Sequence, residues 1–158
     1  MYKRALVPVD GSAVGETILP FILAIAGPLD MEVVLLRVVA PVPPMVIEAP
    51  RQIIEDAVQE RQVDAEEYLA ALAVELRNKG LRVETRLRLG APAAEIVAGA
   101  RETAADLIAM TTHGRSGLSR LMFGSVAEAV LRHSSIPVFL FRATPADVER
   151  RAAREAVP

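Results

Sequence analysis

The sequence predicts an α/β fold: a five-stranded parallel sheet, doubly wound, with helices on both faces. Three observations carry that reading. Short β-like runs alternate with helical patterns along the 158 residues, in the order β-α-β-α-β-α-β-α-β. The run MEVVLLRVV, residues 31–39, is almost continuously apolar, as a strand buried on both faces of a parallel sheet must be. The length suits one domain with a full core and leaves too little for two.

Each element has its own warrant. Residues 4–9 are apolar and end in β-branched character before Gly11 and Ser12 break the run. Ile18, Leu19, Ile22, Leu23 and Ala26 follow at helical spacing and stop at Gly27 and Pro28. After the strand at 31–39, the Pro-rich stretch 40–50 reads as a loop, because proline removes backbone donors. A long helix is predicted over 51–79, its buried stripe being Ile54, Val58, Ala65, Leu69, Leu72 and Leu76, with Gly80 as the C-terminal cap. Residues 81–89 alternate Leu81, Val83, Thr85, Leu87 and Leu89 against charged neighbours, a strand with one wet face. Pro92 opens a short helix to Glu102, DLIAMT at 106–111 is the fourth strand, and a helix runs from Ser125 to His133. The fifth strand, IPVFLF, begins at Ile136 and ends at Phe141, and a charged tail from Thr144 is expected to form a loosely held helix.

Composition excludes several classes. The formal charge is −2 and the pI about 5.7, without the basic excess that a nucleic-acid binder needs. There is no cysteine, so disulfides, thiolate zinc sites and thiol catalysis are out. His113 and His133 are the only histidines, too few for an imidazole metal cluster. The longest apolar run, 18–29, is shorter than a membrane span, and the first residues do not read as a signal peptide. A cytoplasmic protein, with no membrane span and no nucleic-acid partner, is the expectation.

In doubly wound folds ligands sit at the carboxyl ends of the strands. Here those ends carry PVDGS at 8–12, Val38-Val39, and the glycine-bearing stretch from Thr111. A glycine-rich turn leading into a helix N-terminus offers convergent N–H groups to phosphate, and Gly114, Gly124 and Ser125 could do so, with charge from Arg115 and Arg120. The Walker spacing G-x-x-x-x-G-K-[ST] is absent, and so is G-x-G-x-x-G. A plainer reading also stands: Ser125 and Glu128 form a capping box that merely starts the helix, while Gly114 and Gly117 supply turn dihedrals. Spacing alone does not separate the two.

The stretch HGRSGLSRLMFGSVAEAVLRHSSIPV resembles the signature of the universal stress protein family, and LVPVDGS and LLRVV resemble that family's first two strands. Its nucleotide-binding members carry G-x2-G-x9-G-[ST]. Gly114, Gly124 and Ser125 fit that spacing, and Thr111 stands where the first glycine would be. The resemblance spans residue 2 to about 142 and implies a Rossmann-like, adenine-nucleotide-binding sheet of strand order 3-2-1-4-5, followed by a charged tail over 143–158. It implies a nucleotide site formed by Pro8, Asp10, Val38, Met110, Thr111, Gly114, Arg115, Ser116, Gly124, Ser125 and Val126. Val38 would read the base edge through its backbone, and Asp10 would lie near ribose or phosphate, reaching a metal through a bound water. The ligands implied are ATP and Mg²⁺.

Other residues have structural readings. His113 shows no carboxylate partner in the sequence, and Arg132 and His133 complement the dipole in a last helical turn. Met110 can serve as core, and Asp10 or Ser12 can cap the first helix. The strand at 136–141 would be an apolar edge, a hazard that pairing with a second copy removes; the family pairs this strand across a two-fold axis. The reading is thus a homodimeric ATP-binding stress-response module with no assigned catalytic residue and at most weak ATPase activity. The alternatives are a dimeric scaffold that has lost nucleotide, supported by Thr111, and a slow adenine-nucleotide hydrolase.

Overall fold

The computed structural model describes residues 1–41, 50–113 and 124–155. Five parallel strands form one sheet: β1 Arg4–Pro8, β2 Glu32–Val39, β3 Arg82–Leu89, β4 Leu107–His113 and β5 Val138–Ala143, in the order β3-β2-β1-β4-β5. The predicted strand order is the one observed. Helices α1 Leu19–Ala26, α2 Arg51–Asn78, α3 Pro92–Glu102, α4 Ser125–His133 and α5 Pro145–Glu155 follow the strands in turn, and a 3-10 turn, Gly15–Ile18, leads into α1.

Alternation along the inner strands sends residues to two separate cores. Ala5, Val7, Val33 and Leu35 pack with α1 and the second half of α2. Leu6, Val34, Leu36 and Ile108 pack with α3 and α4. Both faces of β1 and β2 are sealed, which is why their sequences show no polar alternation. Strand β3 is an edge, only half covered, and Leu89 is exposed against the expectation of an apolar inward face.

Strand ends differ from expectation by a residue or two. Pro137 has no N–H, and the Ile136 N–H is taken by Ser134 Oγ, so β5 starts at Val138. Strands β4 and β5 then pair onward to His113 and Ala143. Gly80 caps α2 as predicted, with φ of +90° and the Leu81 N–H returning to Leu76 O. Within α2, Ala65, Leu69, Leu72 and Leu76 are buried, but Ile54 and Val58 are only half covered. A helix of 28 residues spans about 42 Å, longer than an eight-residue strand of about 26 Å, so its first turns overshoot the sheet.

The tail forms α5, which is firmly held. Thr144 and Asp147 make a reciprocal cap, Thr144 N–H to Asp147 Oδ2 at 2.9 Å and Asp147 N–H to Thr144 Oγ1 at 3.3 Å. Arg151 of α5 is 8% exposed and ion-paired to Glu16, itself 3% exposed. Among the described residues no helix is long and apolar enough to cross a membrane.

Candidate functional site

A cavity of about 380 Å³ opens at the carboxyl ends of β1, β2 and β4, beside the first turns of α3 and α4. This is where the strand order reverses from β2-β1 to β4-β5. Pro8, Asp10, Val38, Met110, Thr111, Gly124, Ser125 and Val126 all border it. Gly114, Arg115 and Ser116 lie outside the described residues, as do Gly117, Arg120 and most of the loop at 40–50.

The end of β1 is organised by a side chain. Asp10 Oδ1 accepts from the Ser12 N–H at 3.0 Å and from Ser12 Oγ at 2.5 Å, and Ser12 Oγ accepts from the Gly15 N–H at 3.0 Å. These local bonds fold the turn ahead of the 3-10 segment and aim the carboxylate at the cavity rim; Asp10 and Ser12 do not cap α1 as expected, since the N-caps are Val14 and Ile18 and neither makes a side-chain capping bond. Gly15 is needed there, because a Cβ on it would collide with Asp10 Oδ1.

Thr111 forms the wall opposite. Its hydroxyl donates to Gly15 O at 3.2 Å and lies 3.3 Å from Thr17 Oγ1, which itself bonds Val14 O at 2.6 Å. With both hydroxyl protons directed at carbonyls, Thr111 offers a ligand a lone pair and a methyl. It can accept from a ribose hydroxyl, but it cannot donate to phosphate without releasing Gly15.

The predicted capping box at the start of α4 is not formed. Gly124 is the N-cap, with φ −57° and ψ 150°; Ser125 is the first helical residue and makes no capping bond. Glycine needs no side chain to accept the Glu128 N–H, which bonds its carbonyl at 2.9 Å. The Gly124 N–H points to Thr112 Oγ1 at 3.3 Å. The N–H groups of Ser125, Val126 and Ala127 precede the first intrahelical donor, the Glu128 N–H, so among the described residues they have no acceptor at the positive end of the helix. An added Cβ at Gly124 would meet nothing within 4 Å among the described residues. Neither its dihedrals nor any neighbour among the described residues requires glycine here, and a side chain would project over the helix end.

The rest of the lining is apolar. Met110 belongs to the core beneath and also forms the floor, and Leu36 joins Val38 on one face of β2. Pro92 and Ile96 close the side from α3. Leu36, Thr112, Gly15 and Ile96 were not singled out in the sequence. Two-residue alternation from Val38 would have found Leu36, whereas Gly15 and Ile96 arrive by tertiary packing alone. Asp10 carries the only formal charge among the described lining residues. Among those residues no group of three His, Asp or Glu side chains converges as a metal cluster.

The side chain of His113 lies outside the described residues. Arg132 pairs with Glu128 at 2.8 Å, and His133 Nδ1 lies 2.8 Å from Ala129 O, so both serve α4 itself.

A parallel doubly wound sheet of order β3-β2-β1-β4-β5 with a cleft at its switch point defines a Rossmann-like α/β class of protein. The particular family follows from comparison: the profile of the universal stress protein family matches residues 1–142, and the chain belongs to that family. It is 33% identical over 144 residues to universal stress protein MJ0531 of Methanocaldococcus jannaschii, covering 90% of this chain and 83% of the relative. The solved structure of MJ0577, from the same organism, superposes with a TM-score of 0.76 at 28% identity, covering 92% of this chain and 99% of that one. Two more distant structures share the fold. One, a universal stress protein in complex with cAMP, has a TM-score of 0.68 at 22% identity, covering 90% and 98% of the two chains. The other, an Arabidopsis thaliana family protein with AMP bound, has a TM-score of 0.66 at 16% identity, covering 92% and 94%.

Proposed function

We propose that the cavity binds an adenine nucleotide, ATP with Mg²⁺, and that the protein is a homodimeric, nucleotide-responsive stress module. The observation that carries the reading is the convergence of an apolar slot between Val38 and Met110 with the N–H groups of Ser125, Val126 and Ala127, which have no acceptor among the described residues. The slot suits a planar base, and the helix end suits phosphate. Asp10 fits a supporting role toward Mg²⁺, which takes one or two carboxylates and completes its shell with phosphate and water. Its Oδ1 is engaged by Ser12, and Oδ2 is the oxygen left to face ligand. One carboxylate could not hold the ion without the nucleotide. Slow turnover follows from the lining, which brings no lysine and no positioned base among the described residues. The dimer would form along β5, whose outer edge has no strand neighbour among the described residues.

Titration calorimetry with Mg-ATP, AMP and cAMP tests the reading. Saturable heat is expected for at least Mg-ATP, weakened at least about tenfold by Gly124→Val, which fills the space over the helix end. The substitution should cost no more than about 1 kcal/mol of stability, the usual penalty at an N-cap. No saturable heat at millimolar ligand for all three sinks the proposal. The second reading, a dimeric scaffold without nucleotide, is favoured by the Thr111 hydroxyl being committed to Gly15. It prevails if wild type binds none of the three and Thr111→Gly acquires ATP binding. Phosphate release above that of Gly124→Val would instead establish a hydrolase.

A further inference from the structure

Helix α5 lies beyond the residues that match the family profile, yet its most buried side chain reaches the wall of the cavity in three steps. Arg151 Nε donates to Glu16 Oε2 at 2.6 Å, while its two Nη atoms donate to Glu75 at 3.0 and 2.8 Å. The other oxygen of Glu16 accepts from Tyr68 Oη at 2.6 Å. Glu16 is thereby held on both oxygens, and the residues on either side of it reach the cavity wall, one directly and one through Thr111. Gly15 lines the cavity and accepts from Thr111, and Thr17 Oγ1 lies 3.3 Å from Thr111 Oγ1.

We propose that Arg151 is a positioning residue for the nucleotide cavity: through Glu16 it sets the turn that forms the wall at Gly15. The inference rests on the nucleotide reading of that cavity. A four-residue 3-10 turn has poor internal bonding and takes its position from what grips it. The turn's own backbone bonds are few and sit at the upper end of the normal range, Glu16 N–H to Ser12 O at 3.2 Å and Thr17 N–H to Val14 O at 3.1 Å. The buried carboxylate supplies the grip, because Glu16 cannot leave Arg151 and Tyr68 without stranding a charge. A site wall held through such a second layer loses ligand fit when that layer loosens. Glu75 provides the internal contrast. It ties Arg151 to α2, and among the described residues its hydrogen bonds go to Arg151 and Lys79 and none to the turn.

Three variants separate positioning from general support: Glu16→Gln, Arg151→Met and Glu75→Gln. Amide hydrogen exchange is measured on the ligand-free proteins, and Mg-ATP and AMP affinities by calorimetry. Glu16→Gln and Arg151→Met should speed exchange at Glu16 and Thr17 about tenfold and weaken nucleotide about tenfold. Glu75→Gln should leave both within about twofold while loosening α5 from α2. By reciprocity, nucleotide added to wild type should slow exchange around Arg151. The proposal is overturned if Glu75→Gln matches Glu16→Gln in both readouts, or if Glu16→Gln moves neither. A wild type that binds no nucleotide removes the site's assignment. In that case the exchange arm alone still decides whether Arg151 holds the turn.

Discussion

The Thr111 hydroxyl donates to the carbonyl of Gly15 at 3.2 Å, joining the carboxyl end of β4 to the turn that follows β1. The bond crosses 96 residues of sequence and lies at the wall of the cavity. It gives the one non-glycine position of the phosphate-site spacing a structural duty. Thr111→Val keeps the shape and removes the donor, and should cost about 1 kcal/mol in urea unfolding. Thr111→Ser keeps the donor and should stay within about 0.5 kcal/mol of wild type. Equal stability of all three proteins would show that the bond contributes nothing.

Breaking the ion pair at Arg151 should be costly. Arg151→Met leaves the Glu16 carboxylate buried with Tyr68 as its remaining partner, and removal of one member of a buried pair typically costs about 3 kcal/mol. The double variant Glu16→Gln/Arg151→Met should recover part of that loss, since no stranded charge remains. Denaturant midpoints of the two proteins make the comparison.

Acid should reach the same cluster through Glu75. Its hydrogen bonds from Arg151, then Lys79, hold the carboxyl down at about 2, against burial, from a usual 4.5. The folded form is the one with the lowered value, so this stabilisation is fully present above about pH 4.5 and disappears as pH falls through about 2. Unfolding midpoints followed from pH 6 to pH 2 should therefore fall less steeply in Glu75→Gln than in wild type. Parallel curves would remove Glu75 as the acid-sensitive group.

Assembly through β5 predicts a mass of about 34 kDa by light scattering, twice the 17.0 kDa chain. A monomer at micromolar concentration refutes it. Phe139 is a poor place to break the interface. Its ring lies 5.5 Å from that of Phe21 in the same chain, so a charge there would disturb α1 as well.

The elements were legible where local chemistry sets them. Pro92 and Gly124 mark the starts of α3 and α4, and both helices have the bounds that the sequence predicts. The apolar run of β2 announced its double burial. The site was legible at strand ends, where Pro8, Asp10, Val38 and Thr111 stand by virtue of the topology. The capping box failed because S-x-x-E specifies two compatible side chains without saying which residue is the N-cap, and Gly124 took that place. The pair Arg151–Glu16 was beyond any local pattern: 135 residues separate them, and each alone reads as an ordinary surface charge.

The position of Tyr68 has an optical consequence. The chain has no tryptophan and two tyrosines, so its near-ultraviolet absorption and emission are shared by Tyr2 and Tyr68. Tyr2 is 44% exposed, whereas the Tyr68 phenol is bonded to Glu16 and its ring lies 5.9 Å from the Arg37 guanidinium carbon. Burial, followed by that bond to Glu16, pushes the phenol well above its usual range, so it stays a neutral chromophore across ordinary buffers. The protein thus carries an unlabelled spectroscopic probe at the turn behind the cavity, readable by circular dichroism of a half-buried, hydrogen-bonded ring.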